Sequence, residues 1–191
     1  VDPQVKITYS DIITYGYTDN NGTKTIAQGT TNKIGFDTTS YYRMYMKINK
    51  PTLPNNAFVK KVELKLHQVD FNKSNYATST FSVHHVTQNI STGSVIPAHN
   101  TDCYDIHAFT DGKLDTDTWQ APVYNIDLTK MYRSISENIC NIVIKLKNEI
   151  SVGTGSQLYG TFGSHTYIPS AFRPSVTITY DSQYKVEDSN E

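Results

Sequence analysis

Apolar and polar residues alternate along two neighbouring stretches of the chain. In the first stretch the even positions are Tyr42, Met44, Met46 and Ile48, and the odd positions are Tyr41, Arg43, Tyr45 and Lys47. In the second stretch Val62, Leu64 and Leu66 alternate with Glu63, Lys65 and His67. A period of two is that of a strand with one buried face, and a one-residue slip would expose every apolar side chain. The pattern predicts two strands of fixed register, joined by a turn that contains Pro51 and Pro54.

Similar short runs recur along the rest of the chain. They cover residues 5–17, 24–29, 80–90, 123–128, 139–147, 158–162 and 175–180. Many short strands separated by turn residues are typical of a sandwich or barrel. We therefore predict an all-β fold: a single antiparallel β-sandwich domain of jelly-roll-like type. It spans residues 1–182, and the polar residues 183–191 form a linker or tail.

One segment, from Asp127 to Ser136, carries a helical pattern. Asp127 is a candidate N-cap, and Leu128, Met131 and Ile135 are spaced for one apolar helix face. The long polar segments 70–78, 91–117 and 150–156 are predicted to be loops between strands. Loops of this kind commonly carry binding specificity.

Composition narrows the function classes. The chain has 14 tyrosines, only 18% charged residues and a formal net charge of −1. No basic cluster suited to a phosphate backbone is present, so a nucleic-acid partner is not expected. No apolar run approaches the roughly 20 residues that span a bilayer, so membrane insertion is not expected either. The composition is that of an extracellular module, and the polar ends suggest excision from a longer, multidomain polypeptide.

The two cysteines, Cys103 and Cys140, have no CxxC spacing that would indicate zinc. Cys140 has the parity of Ile142 and Ile144, which predicts a buried thiol. A disulfide between the two remains an alternative, because secreted proteins commonly carry them.

Several segments follow one another in an order typical of a known family. They are YYRMYMKI, LPNNAFVKKVELKL, FSVHHVT, YNIDLTKMY, NICNIVIKLKN and YGTFGSHTYIPSAFRPSVTITY, between Ile34 and Tyr180. This order resembles the DNRLRE-type β-sandwich domains of secreted and cell-wall-associated bacterial proteins. The name-giving string is absent; only Arg43 corresponds to its arginine, and Ile90 stands where a Trp often follows Val-Thr.

The resemblance implies a jelly-roll-like accessory module rather than an enzyme. Some relatives resemble carbohydrate-binding modules, and others accompany large surface proteins. The function expected is therefore a non-catalytic module of a secreted or cell-surface bacterial protein, at the surface of a Gram-positive-type cell, which binds polysaccharide. The alternative is a structural spacer or adhesion domain without a small ligand. In either case the expected partners include neighbouring domains of the same polypeptide.

A sugar site needs aromatic faces for stacking and polar groups for hydrogen bonds. The sequence offers two candidate groups. The first is a strand face with Tyr41, Arg43 and Tyr45, which would form a platform unless a further layer buries it. The second lies in predicted loops and consists of Trp119, Tyr104, His107, His165 and Tyr167.

Metal and catalytic motifs are weaker. Asp19 and Asn21, in the run Asp-Asn-Asn-Gly, supply oxygen ligands suited to a structural calcium ion, although the same run is what a hairpin turn requires. His84 and His85 are adjacent, so a regular strand points one inward and one outward and they form no two-histidine metal face. The chain has no GxSxG, HExxH or phosphate-binding glycine loop. We expect no catalysis and no cofactor other than the candidate calcium ion.

Overall fold

The computed structural model describes residues 4–74, 80–93, 95–97, 99–108, 123–147, 149 and 155–182, with backbone alone for 73, 80 and 99–108. Twelve strands, one α-helix and one 3₁₀ turn lie within these ranges. The strands are β1 (Gln4–Tyr9), β2 (Ile12–Asn20), β3 (Thr23–Ala27), β4 (Thr31–Phe36), β5 (Ser40–Asn49), β6 (Phe58–Ser74), β7 (Thr80–Val86), β8 (His99–Ala108), β9 (Val123–Asp127), β10 (Ile139–Leu146), β11 (Gln157–Gly163) and β12 (Ser175–Asp181). The helix α1 covers Thr129–Ser134, and the 3₁₀ turn covers Ser170–Phe172.

The strands form two antiparallel layers that share one long strand. The first layer has the order β1, β12, β6, β9. The second layer has the order β3, β2, β5, β10, β7, β8. A branch of this layer starts where β4 pairs with Tyr41 and Tyr42 of β5; β4 then pairs with β11, and β11 pairs with β6. The first part of β6 therefore pairs in one layer and its last part, from Gln68 to Ser74, pairs in the other.

The main core lies between the two layers. Met44, Met46 and Ile48 enter it from the second layer, while Leu64 and Leu66 enter from the first, and all are at most 1% exposed. The predicted inward faces of both strands are confirmed, but the two strands do not pair with each other: β5 pairs with β2, β4 and β10, whereas β6 pairs with β9, β11 and β12. Because β6 contributes an uninterrupted inward row, the hydrophobic pattern fixes which face meets the core.

A second, smaller core lies on the opposite face of the second layer. It contains Tyr15, Tyr17, Ile26, Tyr45, Val86, Ile90 and Val143. The segment after β7 covers this face, and Gly93 exchanges two backbone hydrogen bonds with Ile26, at 2.8 and 3.1 Å. As a result Tyr45 is completely buried.

The helix begins slightly later than predicted. The N-cap is Leu128 rather than the predicted Asp127; Asp127 precedes it, and its Oδ1 accepts the backbone N–H of Thr129 at 2.9 Å and also its hydroxyl proton. Leu128, Met131 and Ile135 are all buried, which confirms the predicted apolar face. Thr129 Oγ1 in turn accepts the N–H of Val62 at 2.9 Å, and this bond ties the helix to β6.

Three predicted boundaries are wrong. Residues 5–17 are two strands, because the chain turns at Ser10, whose carbonyl accepts the N–H of Ile12 at 2.7 Å. The predicted loop at 70–78 is in part the continuation of β6 to Ser74. The predicted loop at 91–117 contains β8. Polar sequences enter these strands because ladder hydrogen bonds to a neighbour hold them without an apolar face.

The disulfide alternative is also wrong. Cys140 is a free, fully buried thiol. β7 separates the two cysteine strands, since His84 is the backbone partner of both Cys103 and Val143. Two strand spacings place the two Cα atoms about 10 Å apart across the sheet alone, beyond the roughly 7 Å limit for a disulfide.

The molecule is thus an all-β antiparallel sandwich with a jelly-roll-like fold in one domain, as predicted. In the described ranges, neither helical segment is long and apolar enough to cross a membrane.

Candidate functional site

A small open pocket lies beside β2, where the β3–β4 connection and β5 meet it. We call it the Asn32 pocket, and its volume is about 280 Å³. Its lining residues are Gly16, Tyr17, Thr18, Ala27, Gln28, Gly29, Thr31, Asn32, Lys33 and Tyr42. They combine amide, hydroxyl and aromatic groups and include no carboxylate.

Asn32 is the most unusual group in this wall. The residue is only 3% exposed, and its Oδ1 is buried with no hydrogen-bond partner among the described residues. A buried carbonyl without a donor costs about 1–3 kcal/mol. A hydroxyl donor that reaches the amide would relieve this cost.

Gly16 gives the Asn32 amide its room. A Cβ at position 16 would lie 2.9 Å from Asn32 Nδ2, closer than carbon and nitrogen normally approach. Gly16 sits inside β2, opposite Met44 and Ala27, where a glycine weakens the strand. The amide in the pocket wall therefore depends on the absence of a side chain across from it.

Tyr42 supplies the aromatic part of the wall. Its hydroxyl donates to Asp37 Oδ2, and Asp37 Oδ1 accepts the backbone N–H groups of Thr39 and Ser40, each at 2.9 Å. Burial by itself would raise the pKa of Asp37, but these hydrogen bonds outweigh it and hold the pKa below its usual value. Burial, together with the bond to Asp37, raises the pKa of Tyr42. The ring is therefore fixed in place by a carboxylate outside the pocket.

Lys33 lies over two tyrosine rings at the pocket edge. Its Nζ is 5.0 Å from the ring centroid of Tyr42 and 4.8 Å from that of Tyr159, and the two rings are 5.9 Å apart. These distances are those of cation–π contacts. The ammonium group of Lys33 thus contacts the Tyr42 ring from one side. Lys33 is the one charged residue among the described residues that line the pocket.

The predicted strand platform is not an exposed surface. Tyr45 is fully buried in the second core, and Tyr41 is partly buried against the main core. Arg43 donates two hydrogen bonds to Glu149, at 2.6 and 3.0 Å, and its guanidinium lies 4.7 Å from the Tyr17 ring centroid. Burial alone would lower the pKa of Arg43, but Glu149 outweighs it and raises the pKa. Tyr45 is thus covered by the segment after β7, Arg43 is held in an ion pair beside Tyr17, and Tyr41 packs against the other core.

The predicted loop group is not brought together where the structure describes it. Trp119 lies outside the described residues, and Tyr104 and His107 belong to β8 with backbone alone described. His165 instead accepts the N–H of Thr14 in β2 at 3.0 Å. β5, β10 and β7 lie between β2 and β8, which is about 19 Å at about 4.8 Å per strand.

Tyr167 packs near the 3₁₀ turn. Its ring centroid is 6.2 Å from that of Phe172, and its carbonyl accepts the N–H of Arg173 Nε at 2.8 Å. His165 and Tyr167 share the loop between β11 and β12, where Ser164 bonds to Thr30 in the β3–β4 connection. Their contacts are those of a packed loop.

The candidate calcium residues form a two-residue hairpin turn. Asn21 and Gly22 have φ angles of 50° and 90°, and Asp19 Oδ1 accepts the N–H of Gly22 at 2.8 Å. Among the residues described, no group of three or more histidine, cysteine or acidic side chains is placed to hold a metal ion. The turn is confirmed, and calcium stays a prediction. His84 is buried and bonds Ser82, and His85 is partly exposed, as alternation predicts.

The main pocket residues were not predicted from the sequence. Gln28 lies in the short β3–β4 connection, Asn32 is a polar residue near the start of β4, and the pattern places Tyr42 on the core face. The one local signal was Gly16, a glycine within a run of β-forming residues. A glycine at this position indicates that another group lies close to the β2 backbone, but it does not identify that group.

Comparisons with known proteins do not identify a family for the chain. No protein-family model matches the chain, and no curated protein matches it. One solved structure to which it is similar is the crystal structure of the infectious bursal disease virus VP2 subviral particle, at 13% identity and a TM-score of 0.24. That match covers 96% of this chain and 39% of the viral chain. A TM-score at this level carries no inference, and the DNRLRE resemblance stays a prediction.

Proposed function

We propose that the chain is a non-catalytic accessory module of a secreted or cell-surface protein and that it binds polysaccharide through the Asn32 pocket. The observation that carries the proposal is a pocket wall that joins the Tyr42 ring to the Asn32 amide, whose carbonyl has no donor. Neighbouring domains of a longer polypeptide would be its other partners.

The wall chemistry supports a sugar ligand. Pyranose rings present apolar C–H faces to aromatic side chains and hydroxyl groups to amides and hydroxyls. Tyr42 provides the first kind of contact, and Asn32, Gln28 and Thr18 provide the second. A rotation of the Asn32 amide about its broad terminal torsion turns Oδ1 toward a ligand hydroxyl.

The test is a screen of the isolated chain against plant, algal, mucin and bacterial-wall polysaccharides by affinity electrophoresis. Gln28→Ala and Asn32→Ala each remove one amide from the pocket, and Gln4→Ala removes an exposed amide from β1 as the matched control. One hydrogen bond contributes about 0.5–1.5 kcal/mol, so each pocket variant should bind about twofold to tenfold more weakly. Gln4→Ala should bind normally.

Gln28 is exposed, so Gln28→Ala keeps the test valid even if Asn32→Ala unfolds. Equal melting temperatures for Gln28→Ala and the wild type establish that the fold is intact. Silence across the whole panel would overturn the proposal and favour the spacer or adhesion alternative. Binding that Gln28→Ala and a folded Asn32→Ala leave unchanged would remove the pocket from the proposal.

A further inference from the structure

A second polar groove lies at another place on the sandwich. It has a volume of about 380 Å³ and is formed by the end of β7 with the turn after it, and by the start of β10. Its polar side chains are His85, Thr87, Gln88, Asn89, Glu137, Asn138 and Asn141. We call it the amide groove, because four of these seven side chains are primary amides.

The chemistry of the amide groove repeats that of the Asn32 pocket. Asn141 Oδ1 is buried and has no hydrogen-bond partner in the described part of the chain, as is true of Asn32 Oδ1. The groove has one carboxylate, Glu137, and no lysine or arginine among its lining residues. Amides act as donors and acceptors at once, which matches the paired hydroxyls of a neutral sugar and offers little to a charged ligand.

The amide groove has an exposed rim, which suits an extended sugar chain. Asn89 and Asn138 are exposed at its rim, and Ile139 beside them is 38% exposed. An apolar side chain next to amides offers a surface for the C–H face of a sugar ring. The groove is also the larger of the two sites.

The two sites lie at opposite ends of β5. Tyr42 of the Asn32 pocket is near the start of this strand, whereas Asn141 and Ile139 of the amide groove pair with Lys47 and Asn49 near its end. Five to seven residues at about 3.3 Å each separate the sites by about 16–23 Å. Two molecules of a short oligosaccharide therefore fit without overlap.

We propose that the amide groove is a second binding site for neutral, polyhydroxylated ligands, so that one module holds two sugar segments at once. Binding at two sites rests on the proposed function of the Asn32 pocket. Binding at the amide groove alone does not depend on that proposal. A bivalent module can bridge two polysaccharide chains, or bind one long chain at two points and gain affinity from the high effective concentration.

The test uses titration calorimetry of the isolated chain with cellotriose, xylotriose, mannotriose and laminaritriose, which are short enough to occupy one site each. A double variant, Asn89→Ala with Asn138→Ala, removes two exposed rim amides without touching the core. Gln28→Ala reports on the Asn32 pocket, and Gln4→Ala is the control. The expected result is two molecules bound per chain for wild type and control. Each site variant should weaken one of the two binding events by about threefold or more.

The outcomes separate the two proposals. One molecule per chain, weakened by Gln28→Ala and unaffected by the double variant, would overturn the amide groove while the proposed function stands. One molecule weakened only by the double variant would support the groove and overturn both the pocket and the bivalence. No heat with any of the four trisaccharides, combined with silence in the polysaccharide screen, would overturn both sites.

A second measurement tests bridging directly. Mixed with high-molecular-mass glucomannan or arabinoxylan, the wild type should raise light scattering, and each site variant should reduce that rise. A polysaccharide that binds in electrophoresis without raising the scattering would overturn bridging between chains.

Discussion

Gly35 offers a sharp test of the close packing between β4 and β11. Its φ angle is 130°, a region that L-residues rarely adopt, and its backbone partner is Tyr159. A Cβ added at Gly35 would lie 2.0 Å from the carbonyl oxygen of Leu158 and 2.7 Å from Tyr159 Cα. Gly35→Ala must therefore move one strand away from the other, because both obstacles are backbone atoms.

The cost has two parts. The positive φ alone costs about 1–3 kcal/mol for alanine. Moving the Leu158 oxygen from 2.0 Å to an ordinary contact separates the strands by more than 1 Å and disturbs ladder hydrogen bonds, which adds about 1–3 kcal/mol in the range of overpacked cores. We expect Gly35→Ala to lower the free energy of unfolding by about 2–6 kcal/mol.

Gly93 provides the matched control. Its φ angle is 99°, and a Cβ there would meet no heavy atom within 4 Å among the atoms described. Gly93→Ala therefore has the free-energy cost of the positive φ angle but not the cost of a steric clash. The assay is urea unfolding at 25 °C, followed by tyrosine fluorescence and far-UV circular dichroism. Free energies for the two variants that agree within about 0.5 kcal/mol would refute the steric reasoning.

Two further predictions concern titrating groups. Burial, and secondarily the charge of Arg173, lowers the pKa of His165, whose Nδ1 accepts a backbone N–H. The unfolded chain therefore binds the proton more readily than the folded chain does. The free energy of unfolding should fall as the pH drops below the unfolded-state pKa of about 6.5. Urea unfolding at pH 7.5 and 5.0 should show a smaller drop for His165→Asn than for wild type, and equal drops would contradict this. Burial raises the pKa of the Cys140 thiol to about 12. In a Cys103→Ser variant, Cys140 should therefore react with Ellman's reagent at pH 8 at least about 100-fold more slowly in the folded protein than in urea. Equal rates in the two states would show that the thiol is accessible.

The central strands were predictable because their own side chains carry the pattern. Met44, Met46 and Ile48 alternate with polar or aromatic neighbours, so both the strand and its inward face follow from local sequence. β8 could not be found in this way, because HNTDCYDIHA has no apolar alternation and is held by pairing with β7. β4 was missed because Gly35 interrupts its β-forming run.

The candidate site was less predictable than the fold. Tyr45 has the parity of an outward residue, and only the distant Ile90 and Val86 determine that its face is covered. Asn32 resembles an ordinary turn residue until β2 brings Gly16 against it. Both outcomes depend on contacts between residues far apart in sequence, about which local alternation carries no information.

The shared strand β6 has a mechanical consequence. Its first part is hydrogen-bonded in one layer and its last part, from Gln68 onward, pairs with β11 in the other, with an irregularity at Val69. The layers cannot slide apart as separate plates, since any relative movement pulls on the same backbone from both sides. A pulling load on one layer is therefore transmitted to the other through the continuous backbone of β6.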